Sequence, residues 1–133
     1  LNFLLVNALG EIDEASCMVG LATIKAPKYA KVLKKVQGDL LALSSSLVLD
    51  SRFGPDRGDW LNLRLVELQN RVKVEPKFVL PQGTEKRVVL HLARVVVRRA
   101  HRALWAYRQK KPRRAQLDYL NCLSTVLFLM AEE

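Results

Sequence analysis

Apolar residues recur at spacings of three and four along almost the whole chain, the mark of helices that bury one side. The pattern predicts a first helix over residues 2–23, stopped by Ala26-Pro27, because proline removes a backbone donor and restricts the residue before it. A second is predicted from Tyr29 to Leu49, with Leu33, Val36, Leu40, Leu43 and Leu47 on its inner side. The stretch DSRFGPDRGD has a loop composition. A third helix is predicted from Asp59, a good N-cap residue, and carries Leu61, Leu65, Leu68 and Val72. EPKFVLPQGT, with two prolines and a glycine, reads as a connector with an extended centre. Helix four is predicted over Glu85–Arg108 and is broken by KKPRR; helix five covers Ala115–Ala131. There is no strand alternation of any length and no internal repeat. Five amphipathic helices define an all-α fold, a five-helix bundle.

The length of 133 residues suits one domain spanning 1–133, and 50% hydrophobic content excludes overall disorder. No apolar run approaches the ~18 residues of a membrane span. Cys17 and Cys122 lack CxxC spacing, so they are expected to be small buried residues of a reducing compartment, which points to the cytoplasm rather than to a disulfide scaffold or metal site. Charge changes the picture more. The net charge is +9, and the eleven Lys and Arg residues from Lys86 to Arg114 are interrupted by no acid. Such a block either solvates a surface or meets an anion: a nucleotide, a nucleic acid or an acidic membrane face.

The segment RVVLHLARVVVRRAHRALWAYR, residues 87–108, is apolar enough for a core and yet carries an arginine on nearly every turn. At 100° per residue, Arg87, His91, Arg94, Arg98, His101 and Arg102 fall within an arc of about 100°. Val88, Leu92, Val95, Val96 and their neighbours fill most of the rest, predicting a helix buried over more than half its circumference with one narrow basic stripe. Arg99 falls off that stripe, among Leu92, Val95 and Ala103. An arginine there needs a carboxylate or phosphate from another helix or subunit. Helix one has the reverse character: Gly10, Asp13, Cys17 and Gly20 line one side, small residues around a single acid. Asp13 either meets an arginine of a closely approaching helix or pairs with its own helix dipole. On helix five, Asn121 lies among Leu117, Ser124 and Phe128, either as a satisfied core amide, the general expectation, or as a hydrogen-bonder for a ligand.

GEIDEASCMVG (10–20), KFVLPQG (77–83), LHLARVVVRRAHR (90–102) and YLNCLSTVLF (119–128), in that order, resemble the PduO-type ATP:cob(I)alamin adenosyltransferases. FVLP, then R-x-x-x-R-R sixteen residues on, then YLN, make the combination specific. The resemblance implies a five-helix bundle assembling as a homotrimer with active sites between subunits. It implies transfer of the 5′-deoxyadenosyl group of ATP to cobalt(I) of a reduced corrinoid, with release of triphosphate. Magnesium ion accompanies the ATP, and a corrinoid reductase is an implied partner. Cobalt(I) is itself the nucleophile, which suits a chain without a Ser-His-Asp or Cys-His arrangement. The protein must then position the C5′ carbon and stabilise the departing phosphates. Position by position, Arg98, Arg99, His101, Arg102 and Asn121 resemble the nucleotide contacts, and Arg94 a position near the corrinoid. Asp13 resembles the acid that pairs across the subunit interface, with Arg98. Phe78 resembles the aromatic that closes the lower face of the corrin and excludes the lower ligand; without the resemblance it is a loop residue plugging the core.

The chain departs from the family pattern at four places. His101 and Thr125 stand where acids are usual, Cys122 where an arginine is usual, and Gln82 where LPGG is usual. The family's Gly/Thr-rich nucleotide-binding segment with its lysine is expected before Leu1 or to have been lost. These departures keep a non-catalytic corrinoid or nucleotide binder as the alternative. A nucleic-acid-binding helical protein fits the basic block but not a helix whose other faces are apolar, and no named module is visible. A ferritin-like metal bundle needs Glu-x-x-His pairs, and neither His91 nor His101 has an acid three residues earlier.

Overall fold

The computed structural model describes residues 2–107 and 114–133, and its five helices are α1 (Phe3–Lys25), α2 (Ala30–Val48), α3 (Pro55–Arg71), α4 (Glu85–Tyr107) and α5 (Arg114–Glu132). A 3-10 turn, Pro27–Tyr29, joins the first two. No strand occurs among the described residues, in keeping with the all-α expectation. Residues 108–113, most of the KKPRR break and the last residue predicted for helix four, lie outside the described residues, as does Leu1.

Local chemistry sets the helix ends. Asn2 opens α1: its Oδ1 accepts from the Leu4 and Leu5 amides at 2.9 and 3.2 Å. α1 runs to Lys25, two residues beyond the prediction, because Pro27 constrains only itself and the residue before it. α3 begins at Pro55, four residues ahead of the predicted Asp59. Gly54 caps it in an extended conformation, proline occupies the first turn and Asp56 faces the helix dipole, three start signals inside a stretch of loop-like composition.

α1 is sandwiched between α2 and α4, α4 packs on α1 and α5, and α3 lies against α5. Leu33, Leu40, Leu43, Leu61, Leu104 and Leu123 are among the side chains sealed at the centre. Each contributes roughly 2 kcal/mol of apolar burial. One acid sits in this core. Asp39, 0% exposed, accepts from Arg57 Nη1 at 2.6 Å, Lys35 Nζ at 3.2 Å and the Tyr119 hydroxyl at 2.7 Å, which ties α2 to α3 and α5. Buried, and fixed as a donor to that carboxylate, the Tyr119 hydroxyl holds its proton far above the ordinary phenol range.

The cysteines depart from expectation. Cys17 is exposed, on the solvent side of α1 with Gly10 and Asp13, while Cys122 is half-buried and burial pushes its thiol up to about 11. Between α3 and α4 the chain is irregular, and Gly83 adopts φ 108°, a conformation open to glycine at little cost. No helix among the described residues is long and apolar enough to cross a membrane.

Candidate active site

The arginine stripe of α4 is divided by the packing. Its first half is inside the protein: His91 is 1% exposed, and Arg87 is half-buried and clamped to Glu132 at the end of α5, its Nε donating at 2.7 Å and its Nη2 at 3.1 Å. Its second half faces outward. Arg94 and Arg98 line a groove of about 210 Å³ with Ser124, Thr125 and Phe128 of α5. Arg98 and Arg102 are exposed and form no ion pair with any described residue. The outer side also carries Val88, Leu92 and Val95, so more of α4 is exposed than the pattern predicts. Those apolar residues sit between the Lys25–Glu85 pair and the pairs of Arg99, along the seam that α4 shares with α1.

Arg94 is held on two sides. Its guanidinium lies 5.9 Å from the centre of the Phe128 ring, and its Nε donates to His91 Nδ1 at 3.2 Å. Burial, and then the neighbouring Arg98, make its proton easier to lose than that of a free arginine. His101, one turn on from Arg98, is half-buried. Burial and the nearby Arg98 press its pKa below the usual histidine value, with Asp118 opposing, so it is neutral at physiological pH. The groove is therefore cationic through its arginines alone.

The remaining predicted residues fall into three places. Asn121 is exposed on α5, which overturns the core-amide expectation; its backbone carbonyl accepts from Ser124 Oγ at 2.8 Å and leaves the side-chain amide facing out. Its helical phase, not its apolar neighbours, decides this, since Leu117 and Ser124 turn inward. Arg99 meets the carboxylates its position demanded, Glu11 and Glu14 of α1, so its guanidinium is directed along the α1 seam, away from the Arg94–Arg98 groove. Asp13 is exposed beside a second groove, of about 400 Å³, between α1 and α2, with Gly10, Ser16 and Leu41. Asp13 and Arg98 thus stand on different seams of the chain. Phe78 is fully exposed, which overturns the reading as a core plug. Its loop is tethered by Arg87, whose Nη1 donates to the carbonyls of Leu80 and Gln82, both at 2.6 Å.

Sequence reasoning missed Glu11, Glu14 and Glu132. The first two carry a signal, an i,i+3 acidic pair on a helix facing an off-stripe arginine. Glu132 carries none, because its role depends on where the end of α5 comes to rest. Among the described residues no three His, Cys, Asp or Glu side chains converge to hold a metal ion. A magnesium ion here would have phosphate oxygens as its main ligands, with no protein carboxylate cage.

A helical bundle with a groove lined by arginines and no carboxylate has the charge to receive an anionic ligand. Comparison with known proteins specifies which. The family model for cobalamin adenosyltransferase matches residues 2–133, and the chain belongs to that family of enzymes. A corrinoid adenosyltransferase of Mycobacterium tuberculosis is 31% identical over 146 residues, spanning 93% of this chain and 72% of the relative. A cobalamin adenosyltransferase of Cupriavidus metallidurans is 31% identical over 143 residues, spanning 98% and 74%. Two solved structures of PduO-type ATP:corrinoid adenosyltransferase variants from Lactobacillus reuteri share the fold. One, complexed with ATP, has a TM-score of 0.83 at 26% identity and covers 98% of this chain and 81% of that one. The other, complexed with cobalamin and ATP, has a TM-score of 0.85 at 26% identity and covers 98% and 77%.

Proposed function

We propose that this chain transfers the 5′-deoxyadenosyl group of ATP to the cobalt of cob(I)alamin. The observation that carries the reading is the groove between α4 and α5, which Arg94 and Arg98 line and in which no carboxylate forms an ion pair with either. In the reaction the cobalt(I) electron pair attacks C5′, the C5′–O5′ bond breaks and triphosphate leaves with that bonding pair. The leaving group gathers negative charge as the bond stretches, so fixed cations count most in the transition state. Arg98 and Arg102 are free to meet it. Asn121 offers an outward amide to the nucleotide, and neutral His101 offers a ring nitrogen without competing for the phosphates. Arg99 points away from that groove and reaches the phosphates only by releasing a glutamate and turning from the α1 seam. Phe78 provides an apolar surface for the lower face of the corrin, with Arg94 nearby, and magnesium ion arrives with the ATP.

The assembly we propose is a homotrimer in the cytoplasm, supplied with reduced corrinoid by a reductase. Two features support the trimer. Asp13 and Arg98 lie on different seams, so they can pair only between copies. A head-to-tail contact of this kind makes a ring when its rotation closes, and the closure we propose is at three copies. The exposed Val88, Leu92, Val95 and Ile24 also offer apolar area for that contact.

The test is to incubate chemically reduced cobalamin with ATP and magnesium under anaerobic conditions and to follow loss of the cobalt(I) absorbance. The expected result is adenosylcobalamin from the parent and a drop of at least about a hundredfold in kcat for Arg98→Ala, the scale of a lost transition-state charge contact. A folded trimer that binds ATP and corrinoid without product would replace catalysis by a binding role.

A further inference from the structure

The groove arginine Arg94 and the loop bearing Phe78 are joined by a continuous set of buried or half-buried polar side chains. Arg94 Nε donates to His91 Nδ1 at 3.2 Å, and His91 Nε2 lies 2.9 Å from Glu132 Oε2. Glu132 in turn accepts from Arg87 Nε at 2.7 Å, and Arg87 Nη1 grips the Leu80 and Gln82 carbonyls. A guanidinium can only donate, so His91 Nδ1 must be a bare acceptor and its proton must sit on Nε2, donated to Glu132. Every link then has one donor and one acceptor, and the His91 ring is further fixed edge-on to Phe128, 5.6 Å between centres. His91 is 1% exposed, so no water replaces a lost partner cheaply. Glu132 is held below the usual carboxylate range, chiefly by Arg87 and then by His91.

We propose that His91 and Glu132 are positioning residues for the corrinoid: they set the Arg94 side chain and the Phe78 loop in one register, so that the cationic groove and the apolar lower-face contact are fixed together. Neither residue touches a substrate. The inference rests on the adenosyltransferase reading for its kinetic consequence, but the mechanical coupling does not. Each partner here has another way to be merely solvated: Arg94 could face the groove unaided, and the loop could ride free of α5. Instead the last turn of α5 connects them.

The test uses the full-length protein with His91→Leu, Glu132→Gln, Arg94→Met and the Glu132→Gln/Arg94→Met double variant, with His91→Gln as the rescue, since glutamine has one acceptor and one donor at its tip. Expected is a rise of about tenfold in KM for corrinoid in His91→Leu and Glu132→Gln, with KM for ATP unchanged and His91→Gln close to the parent. The double variant is expected to be no worse than its worse single, because both break one connected set. Multiplying effects, or a loss falling equally on ATP and corrinoid, would overturn the proposal. Hydrogen exchange of the 78–84 amides is the second arm and does not need turnover. His91→Leu and Arg94→Met should both speed it while the melting transition stays cooperative, and unchanged exchange in both would sink the coupling even in a protein without adenosyltransferase activity.

Discussion

Asp39 shows how much can depend on one side chain. Its carboxylate accepts the Tyr119 hydroxyl, and it is approached by two cations whose own ends reach water. Removing it deprives a buried phenol of its acceptor and loosens α3 through Arg57. Asp39→Ala is expected to cost about 3 kcal/mol in urea unfolding, against about 1 kcal/mol for Tyr119→Phe, which removes only one donor. A cost for Asp39→Ala no larger than that for Tyr119→Phe would show that the cations contribute nothing. Glu133 is a second case, and one that responds to pH. Hydrogen bonds from Arg71 and then Tyr29 hold its carboxyl at about 2, below the free glutamate value of about 4.3. A folded pKa that is depressed means stability fully present above the unfolded value and lost as pH falls toward the folded one. The parent should therefore lose more stability than Glu133→Gln between about pH 4.5 and pH 2, and parallel curves from denaturant titrations would exclude the effect.

At the scale of elements, periodicity governs how much is legible in the sequence. All five helices are visible in the spacing of the apolar residues, and the α2 core falls on the predicted side. The start of α3 escapes because its signals, Gly54-Pro55-Asp56, look like a turn until a helix is known to come after them. The site is only partly visible. Arg98 and Arg102 keep their outward stripe positions, while Arg87 and His91, of the same phase, are drawn inside by Glu132, a residue 41 positions or more away in the chain. Periodicity within one helix cannot report which neighbour covers which turn. The Phe78 loop makes the same point, since it has no period to read. Its geometry instead hangs on Gly83 at φ 108°. A Cβ there meets no neighbour, so the penalty for Gly83→Ala is backbone strain alone, roughly 1–2 kcal/mol. Because the strain is local to the loop, the expected signature is a higher KM for corrinoid with an unchanged KM for ATP. An equal rise in both would place Gly83 outside the corrinoid contact.

For the whole molecule, the separation of Asp13 from Arg98 is the decisive arrangement. The acid stands by the α1–α2 groove and the arginine by the α4–α5 groove, so the chain holds the two apart. If the two meet between copies, two inactive variants can repair each other. Mixed in equal amounts after dissociation and reassembly, Asp13→Ala and Arg98→Ala subunits should recover activity at about a quarter of the interfaces, since each needs an intact acid from one copy and an intact arginine from the next. No recovery in a verified mixed trimer would put both residues in one subunit's site.

The solvated loop also has a consequence for self-association of the chain. A bare phenylalanine with valine and leucine directly after it is the kind of segment that nucleates sheet-like aggregates when it is left uncovered. Here Pro76 and Pro81 bracket the run PKFVLP, so at most four consecutive residues can offer an amide to a neighbouring strand, and Lys77 places a charge inside that window. The prolines and the lysine act as gatekeepers, which lets the protein keep its most adhesive side chain in water.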